Sequence, residues 1–557
     1  MKTYTRLILL SMLSPLSAFG FVTVGPDSET CDYDSLINAY ILSPEYEIRV
    51  SNEAPVFNYT ASLTGKDRLI KGGYASCEDA ANDILEIGEN NLVVNSVIDG
   101  QNNSTSMRFT NSQGERKSIY LENFKIINGN GTNSIKAGGL DISGDLYINL
   151  NNVLIENNQS DFGGGIRVTG DDVVLDIENS TLSENSAIYG GGINCHGNSQ
   201  INIDNSSVSF NSADYGGGIA ANGCVLTHKF YQTGYISHNT ARLNGGGVYL
   251  ENGAELSLTN SESLNTASSL LTNYAGVFGG GAYVHGSDSK LLATNVIIRG
   301  NAAELSGGGI YAANDALVRV VKSHQVASSI EQNSADRGGA FTIVDSVLEI
   351  DRINIDSNQA NEGHGAILFI DNGVADIDNS ILTDNSGPDD EFAPSLISVG
   401  GLAPSFVSGL YLTVADNLTE TFLHVEESDL IHNINFGQSI LNDQNVTLDF
   451  NVNDSSVNFF CNLMAEMASL DQPNVDADHN IQSLDAGFVG GGDYSLSNDS
   501  PAIDMCNGVA GEMDYLGNPR GIDHEGMADG NGLYDSGAFE YQYSNNPDVI
   551  FRDGFDD

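Results

Sequence analysis

Between Asn157 and Asn385 one short pattern recurs nine times: two apolar residues separated by one position, a third apolar residue, an asparagine, then a glycine run. One copy reads Leu175-x-Ile177, Leu182, Asn185, Gly190-Gly191-Gly192-Ile193, and the next reads Ile201-x-Ile203, Val208, Asn211, Gly216-Gly217-Gly218-Ile219. Leu348-x-Ile350, Ile355, Asn358 and Ala375-x-Ile377, Leu382, Asn385 keep the spacing. Self-similarity at a period of about 20–50 residues specifies a solenoid or an array. The asparagines Asn157, Asn185, Asn211, Asn239, Asn265, Asn301, Asn333, Asn358 and Asn385 lie 28, 26, 28, 26, 36, 32, 25 and 27 apart. Helical repeats keep stricter lengths, whereas short strands joined by loops absorb insertions. The apolar stretches are brief, alternate with period two and favour Val, Ile and Leu, which is the pattern of strands.

The punctuation has a mechanical reading. A corner between strands needs positive φ, which Asn tolerates and Gly adopts freely. Coils stacked about 4.8 Å apart bring each Asn over the next, so their amides can form a hydrogen-bonded ladder. The triplets beginning at Gly163, Gly190, Gly216, Gly245, Gly279 and Gly307 form a second column, read as a tight corner with a shallow ligand groove as the alternative. That column decays to Gly338-Gly339-Ala340 and Gly363-His364-Gly365. Tyr189, Tyr215, Tyr249, Tyr283 and Tyr311 stand beside the triplets, either as an external stripe or as cover for glycine-rich backbone.

The Asn-x-(Ala/Ser)-x-x-Gly-Gly-Gly-Ile repeats resemble those of bacterial proteins of the pectin-lyase-like superfamily, particularly polymorphic outer-membrane-protein and adhesin-like passengers. The resemblance covers residues 90–480 and implies an all-β, right-handed parallel β-helix of about 13–16 coils. It also implies adhesion or interaction with cell-surface or matrix components, glycans among them. Ser500-Pro501-Ala502-Ile503-Asp504, Asp514-Tyr515-Leu516-Gly517-Asn518-Pro519-Arg520 and Tyr534-Asp535-Ser536-Gly537-Ala538-Phe539-Glu540 are similar, in order, to the choice-of-anchor Q segment of surface β-helix proteins. Asp504, Asp514, Asp535 and Glu540 with Arg520 then read as a buried ionic network, with Ca²⁺ binding as the alternative. The tail from Val549 to Asp557 resembles one on exported proteins of Gram-negative bacteria.

Lys2, Arg6, the apolar run from Leu7 to Leu16 and Ala18-Phe19-Gly20 predict a signal peptide over residues 1–20, so the protein is expected outside the cell or on its outer surface. The expected organisation is an amino-terminal cap and first coils over 21–100, the solenoid over 101–480, a carboxy-terminal cap over 481–541 and a linker with tail over 542–557. Ser35 or Asp34 before Leu36–Leu42, with Pro44 beyond, predicts a short capping helix. Six cysteines in an exported chain read as disulfides. Several pairings are formally open, and neighbourhood in a solenoid favours Cys31–Cys77, Cys195–Cys224 and Cys461–Cys506.

Charge narrows the partners. With 74 acidic against 22 basic residues the net charge is −52, which repels nucleic acid and anionic membranes. No stretch after the signal is apolar for the roughly 18 residues of a membrane helix, and a monomer is expected. An enzyme of this superfamily needs clustered carboxylates with a basic residue above the scissile bond. The chain has Asp171-Asp172 and Gly363-His364-Gly365, which read as a solvated turn and a decayed repeat, and lacks the accompanying Asn-Thr-Asp and Arg-Ile-Lys. No Trp is present to stack sugars. The expectation is a protein without catalytic residues or cofactor, apart from the open Ca²⁺ question, with polysaccharide binding or cleavage as the alternative.

Overall fold

The computed structural model describes residues 20–52, 62–88, 95–112, 114–230, 234–260, 268–323, 328–387, 394–401, 403–419, 421–426, 431–443, 447–449, 456–465, 475–507, 513–521 and 532–542. The expected signal peptide up to Phe19, Asn265, and the linker and tail beyond Gln542 lie outside these residues.

One coil shows how the repeat folds. Val174–Glu178 runs with Leu175 and Ile177 inward, and the chain bends at Asn179 (φ +49°) into Thr181–Ser183. It bends again at Glu184 (φ +56°), passes Asn185 and the glycines, and closes through Ile193–His196. Gln200–Asp204 then begins the next layer, with Leu175 opposite Ile201 and Ile193 opposite Ile219 in parallel register. About 14 turns stack this way. Their strands form sheets of 30, 14 and 6 strands, all with parallel pairing between coils. Side chains alternate across each strand, so the inward columns fuse into one apolar core from Val22 to Met464, and a one-residue slip would turn that core outward. His228 interrupts it: fully buried opposite Ile203 and Leu258, it is held neutral because burial lowers its pKa to about 3.

The structure corrects the corner asparagines. The left-handed residues are those one position earlier, Glu184, Phe210, His238, Gly300, Gln332 and Ser357, at φ +54° to +65°. Asn185, Asn211, Asn239, Asn301, Asn333 and Asn358 follow them with inward amides. In the coil that carries Asn157, that residue takes the left-handed bend (φ +57°) and Asn158 is the rung. Asn273 fills the rung placed by sequence at Asn265. Each Oδ1 accepts from the preceding rung: Asn185 donates to Asn211 Oδ1 from its backbone N at 3.0 Å and from Nδ2 at 3.0 Å. Asn185 Nδ2 also bonds Ile155 O at 2.9 Å. A buried amide is most valuable where it satisfies the backbone groups a bend leaves over, and the residue before it accepts the awkward φ, even when that residue is Phe210.

At the amino end Ser35 caps helix α1 (Leu36–Leu42), its Oγ accepting from Asn38 N at 3.3 Å. Leu36, Ala39 and Tyr40 are buried against the first strands, shielding the end of the core. A second short helix, α2 (Cys77–Ala81), is capped by Ser76 and carries Cys77, which bonds Cys31. Cys195–Cys224 lies inside the core and Cys461–Cys506 ties the last coils to the terminal segment.

That terminal segment leaves the stack after Gln482 through an antiparallel hairpin, Phe488–Gly490 with Asp493–Leu496, and runs back along one flank. Tyr494 OH donates to Asp416 Oδ2 at 2.7 Å, Ala538 N to Thr413 Oγ1 at 2.9 Å, and Gly537 N to Gln438 O at 2.8 Å. Lys322 Nζ stands 4.1 Å from the centre of the Tyr515 ring. The disulfide-braced segment expected after the solenoid also reaches back as a strap across the coils from Lys322 to Cys461.

Candidate functional site

The outer face of the 14-stranded sheet carries a run of aromatic and titratable side chains, and the glycine column shapes it. Gly190 has φ +67°, and a Cβ there would sit 2.0 Å from Ile193 O. A Cβ at Gly191 would meet Gly217 O of the next coil at 2.4 Å. The column is thus a tight corner that folds the residue before each triplet over the strand that follows.

Two columns of side chains face each other across this fold. The turn column runs Phe162, Tyr189, Tyr215, Asn244, Phe278, Ser306, Arg337, His364. The strand column beneath runs Arg167, Asn194, Ala220, Tyr249, Tyr283, Tyr311, Thr342, Phe369, Ser398, His424. In three coils large faces small, Tyr215 being followed by Ala220, Asn244 by Tyr249 and Ser306 by Tyr311, whereas Phe278 and Tyr283 are both large and stack at 6.5 Å. The rings make one seam, Tyr189 on Tyr215 at 4.9 Å, Tyr249 on Tyr283 at 5.2 Å and Tyr283 on Tyr311 at 5.3 Å, all stacked. The hand-over between columns, Tyr215 to Tyr249, is an edge contact at 62°. Because ring faces are spent on each other, a ligand meets edges and hydroxyls. Burial raises the phenol of Tyr283 to about 12, so the seam stays uncharged.

Beyond Tyr311 the seam becomes polar. Arg337 lies over the Phe369 ring at 5.6 Å, and His364 stands 5.6 Å from His424, ring centre to ring centre. Burial, then the charges of His424 and Arg337, lower the pKa of His364. His432, fully buried, accepts from Ser405 N at Nδ1 (3.1 Å), and burial lowers its pKa too. Asp371 and Glu426 act electrostatically on His432, and Ser398 sits fully buried between Phe369 and His424 in the strand column. Sequence reading found His364 as a broken glycine triplet but missed Ser398, His424 and His432, because their columns appear only when the coils are stacked.

The other sequence candidates fall elsewhere. Asp171 and Asp172 are exposed in a turn, where Asp172 O accepts from Arg116 Nη2 at 2.9 Å. Asp504, Asp514, Asp535 and Glu540 are buried together around Arg520 within the strap. Arg520 Nη1 lies 3.5 Å from Glu540 Oε2, while Nε and Nη2 bond Asn379 Oδ1 at 3.1 and 3.0 Å. Backbone donors hold the carboxylates: Asp504 N to Asp535 Oδ1 and Gly521 N to Glu540 Oε1, both 2.7 Å, and Asn518 N to Asp514 Oδ1, also 2.7 Å. Burial, reinforced by Glu540, pushes Asp535 up to about 7. Among the described residues no three His, Cys, Asp or Glu converge as ligands for a metal. No protein-family profile matches the chain, and no curated protein matches it at a significant level.

Proposed function

We propose that this protein is an exported solenoid, of the pectin-lyase-like right-handed type, that acts at or outside the cell surface by display, in adhesion or matrix interaction. The observation that carries this reading is the coil-to-coil regularity of its outward polar groups. Many pair with their own repeat neighbours: Tyr147 OH donates to Asp176 at 2.6 Å, Asn202 to Asp176 at 2.7 Å, and Arg299 to Glu331 at 3.1 Å. A long, acidic, repeat-regular face suits multivalent contact with basic or cation-bridged surfaces. The test is incubation of the mature chain with neutral and acidic polysaccharides, with and without Ca²⁺, scoring binding and product release separately. Binding without products supports display, and products that vanish on substitution of one carboxylate pair would overturn it.

A second reading, polysaccharide binding or cleavage, draws on Arg337, His364, Asp371, His424 and Glu426, which gather on the outer face of neighbouring coils. Products lost specifically on substitution of Asp371 or Glu426 would favour it.

A further inference from the structure

We infer that His364 and His424 form a binding site for one borderline transition-metal ion, of the Zn²⁺ or Cu²⁺ class, with Ser398 beneath it. The inference goes beyond the display reading and does not depend on it.

Three observations converge. First, the two imidazoles come from coils that are not neighbours: His364 precedes the strand Leu368–Asp371, His424 lies in Thr421–Val425, and Ser395–Gly400 runs between them. The rings nonetheless meet at 5.6 Å, tilted by 46°. Two imidazoles on one tetrahedral ion, each nitrogen about 2.0–2.1 Å from the metal, have ring centres roughly 5–6 Å apart. Stacked rings would lie parallel, as those of the seam do, and these do not.

Second, Ser398 belongs to the coil that the imidazole pair spans, in the outward column between Phe369 and His424. Its hydroxyl is fully buried and has no hydrogen-bond partner among the described residues. An ordered water or ion beside it is one of the things that satisfy a buried orphan hydroxyl. A metal-bound water, acidified by the ion, is a strong donor and would satisfy it.

Third, the protein as a whole carries a net charge of −52, a field that concentrates cations at its surface. The ion is drawn in by the same field. No third described His, Cys, Asp or Glu completes the set, so water occupies the remaining positions and the site stays open to exchange. Imidazole ligands select Zn²⁺ and Cu²⁺ over Ca²⁺ and Mg²⁺, which take oxygen.

The acidic surface also binds cations, so the experiment separates the two by flooding the carboxylates with Ca²⁺. The full exported chain in excess Ca²⁺ is titrated with Cu²⁺ and read by electron paramagnetic resonance, with Zn²⁺ affinity measured by calorimetry. The expected result is one ion per chain whose spectrum shows coupling to two imidazole nitrogens. His364→Gln and His424→Gln should each weaken Zn²⁺ binding by at least about tenfold, whereas His285→Gln should leave it unchanged. A wild-type spectrum with oxygen ligands only, or affinity untouched by both substitutions, would overturn the proposal. The wild-type spectrum decides the matter even if a variant fails to fold.

Discussion

Asn417 and Asp443 end the asparagine column: Asn417 donates from its backbone N to Asp443 Oδ1 at 2.9 Å and from Nδ2 to Asp443 Oδ2 at 2.7 Å. Every earlier rung is an amide that both accepts and donates, so the aligned amides leave their positive, donating ends pointing at this carboxylate. The acid is a chain terminator, since when ionised it can only accept.

Asp443 gives the fold a pH dependence with a definite sign. Burial, only partly offset by the two Asn417 bonds, raises its pKa from 3.8 to about 6. The folded state therefore holds a proton more tightly than the unfolded one, and stability falls as pH rises through about 4 to 6. Asp535, raised to about 7, adds the same sign up to neutrality. Asp443→Asn should flatten the slope between pH 4 and 6 and raise stability at pH 7.5 by up to about 2–3 kcal/mol. Thermal unfolding of both proteins across that range checks it, and parallel curves would refute it.

The two asparagines at the bend before the first glycine triplet, Asn157 and Asn158, should behave differently. Asn158→Ala removes the acceptor for Gly129 N (2.7 Å) and the donor to Asn185 Oδ1 (3.0 Å), both buried, and should destabilise by about 2–4 kcal/mol. Asn157 contributes its left-handed φ, so Asn157→Gly should be tolerated within about 1 kcal/mol. Denaturant midpoints of the two variants test the reassignment of the rung.

The large-and-small pairing of Tyr215 with Ala220 predicts coupling. Tyr215→Ala should destabilise by about 3 kcal/mol through the gap left between Tyr189 and Tyr249. Ala220→Tyr alone overfills its fully occupied surroundings, whereas the double variant moves the ring from turn to strand, the arrangement of the next coil, and should recover at least about 1 kcal/mol. A double-mutant cycle with no interaction energy would rule out the complementarity.

Removing the strap's cation should be severe. Arg520→Ala leaves Glu540, Asp535 and Asp514 buried without the guanidinium, at about 3–5 kcal/mol. Limited proteolysis should then cut between Gln482 and Gln542 while the coils before Lys322 stay protected. Uniform digestion along the chain would contradict a locally anchored strap.

The regular coils were legible in the sequence because their information is local and repeated: Leu175 and Ile177 point inward by period two, Asn185 bonds the rung after it, and Gly190 admits no Cβ. The one-residue error at Asn157 came from treating positive φ and the buried amide as one property. The repeat shows the amide, whereas the bend tolerates Glu184 or Phe210 and leaves no signature. The insertion near Asn265 displaced a rung to Asn273 for the same reason, since spacing was the only guide there. The strap and the polar end of the seam depend on register between coils. That Arg520 meets Asn379, or that His364 reaches over Ser398 to His424, is a fact about stacking that no single repeat contains.

A linear stack of nearly identical layers melts from its ends, each layer held only by the next. The strap changes that arithmetic at one end. Because the same few residues grip the layers of Lys322, Asn379, Thr413, Gln438 and Cys461, the outermost layer cannot peel without also loosening those beneath it. The strap, which follows the coils in the chain, thus binds the final layers into one block, and those layers resist unravelling at that end only once the strap has been made and seated.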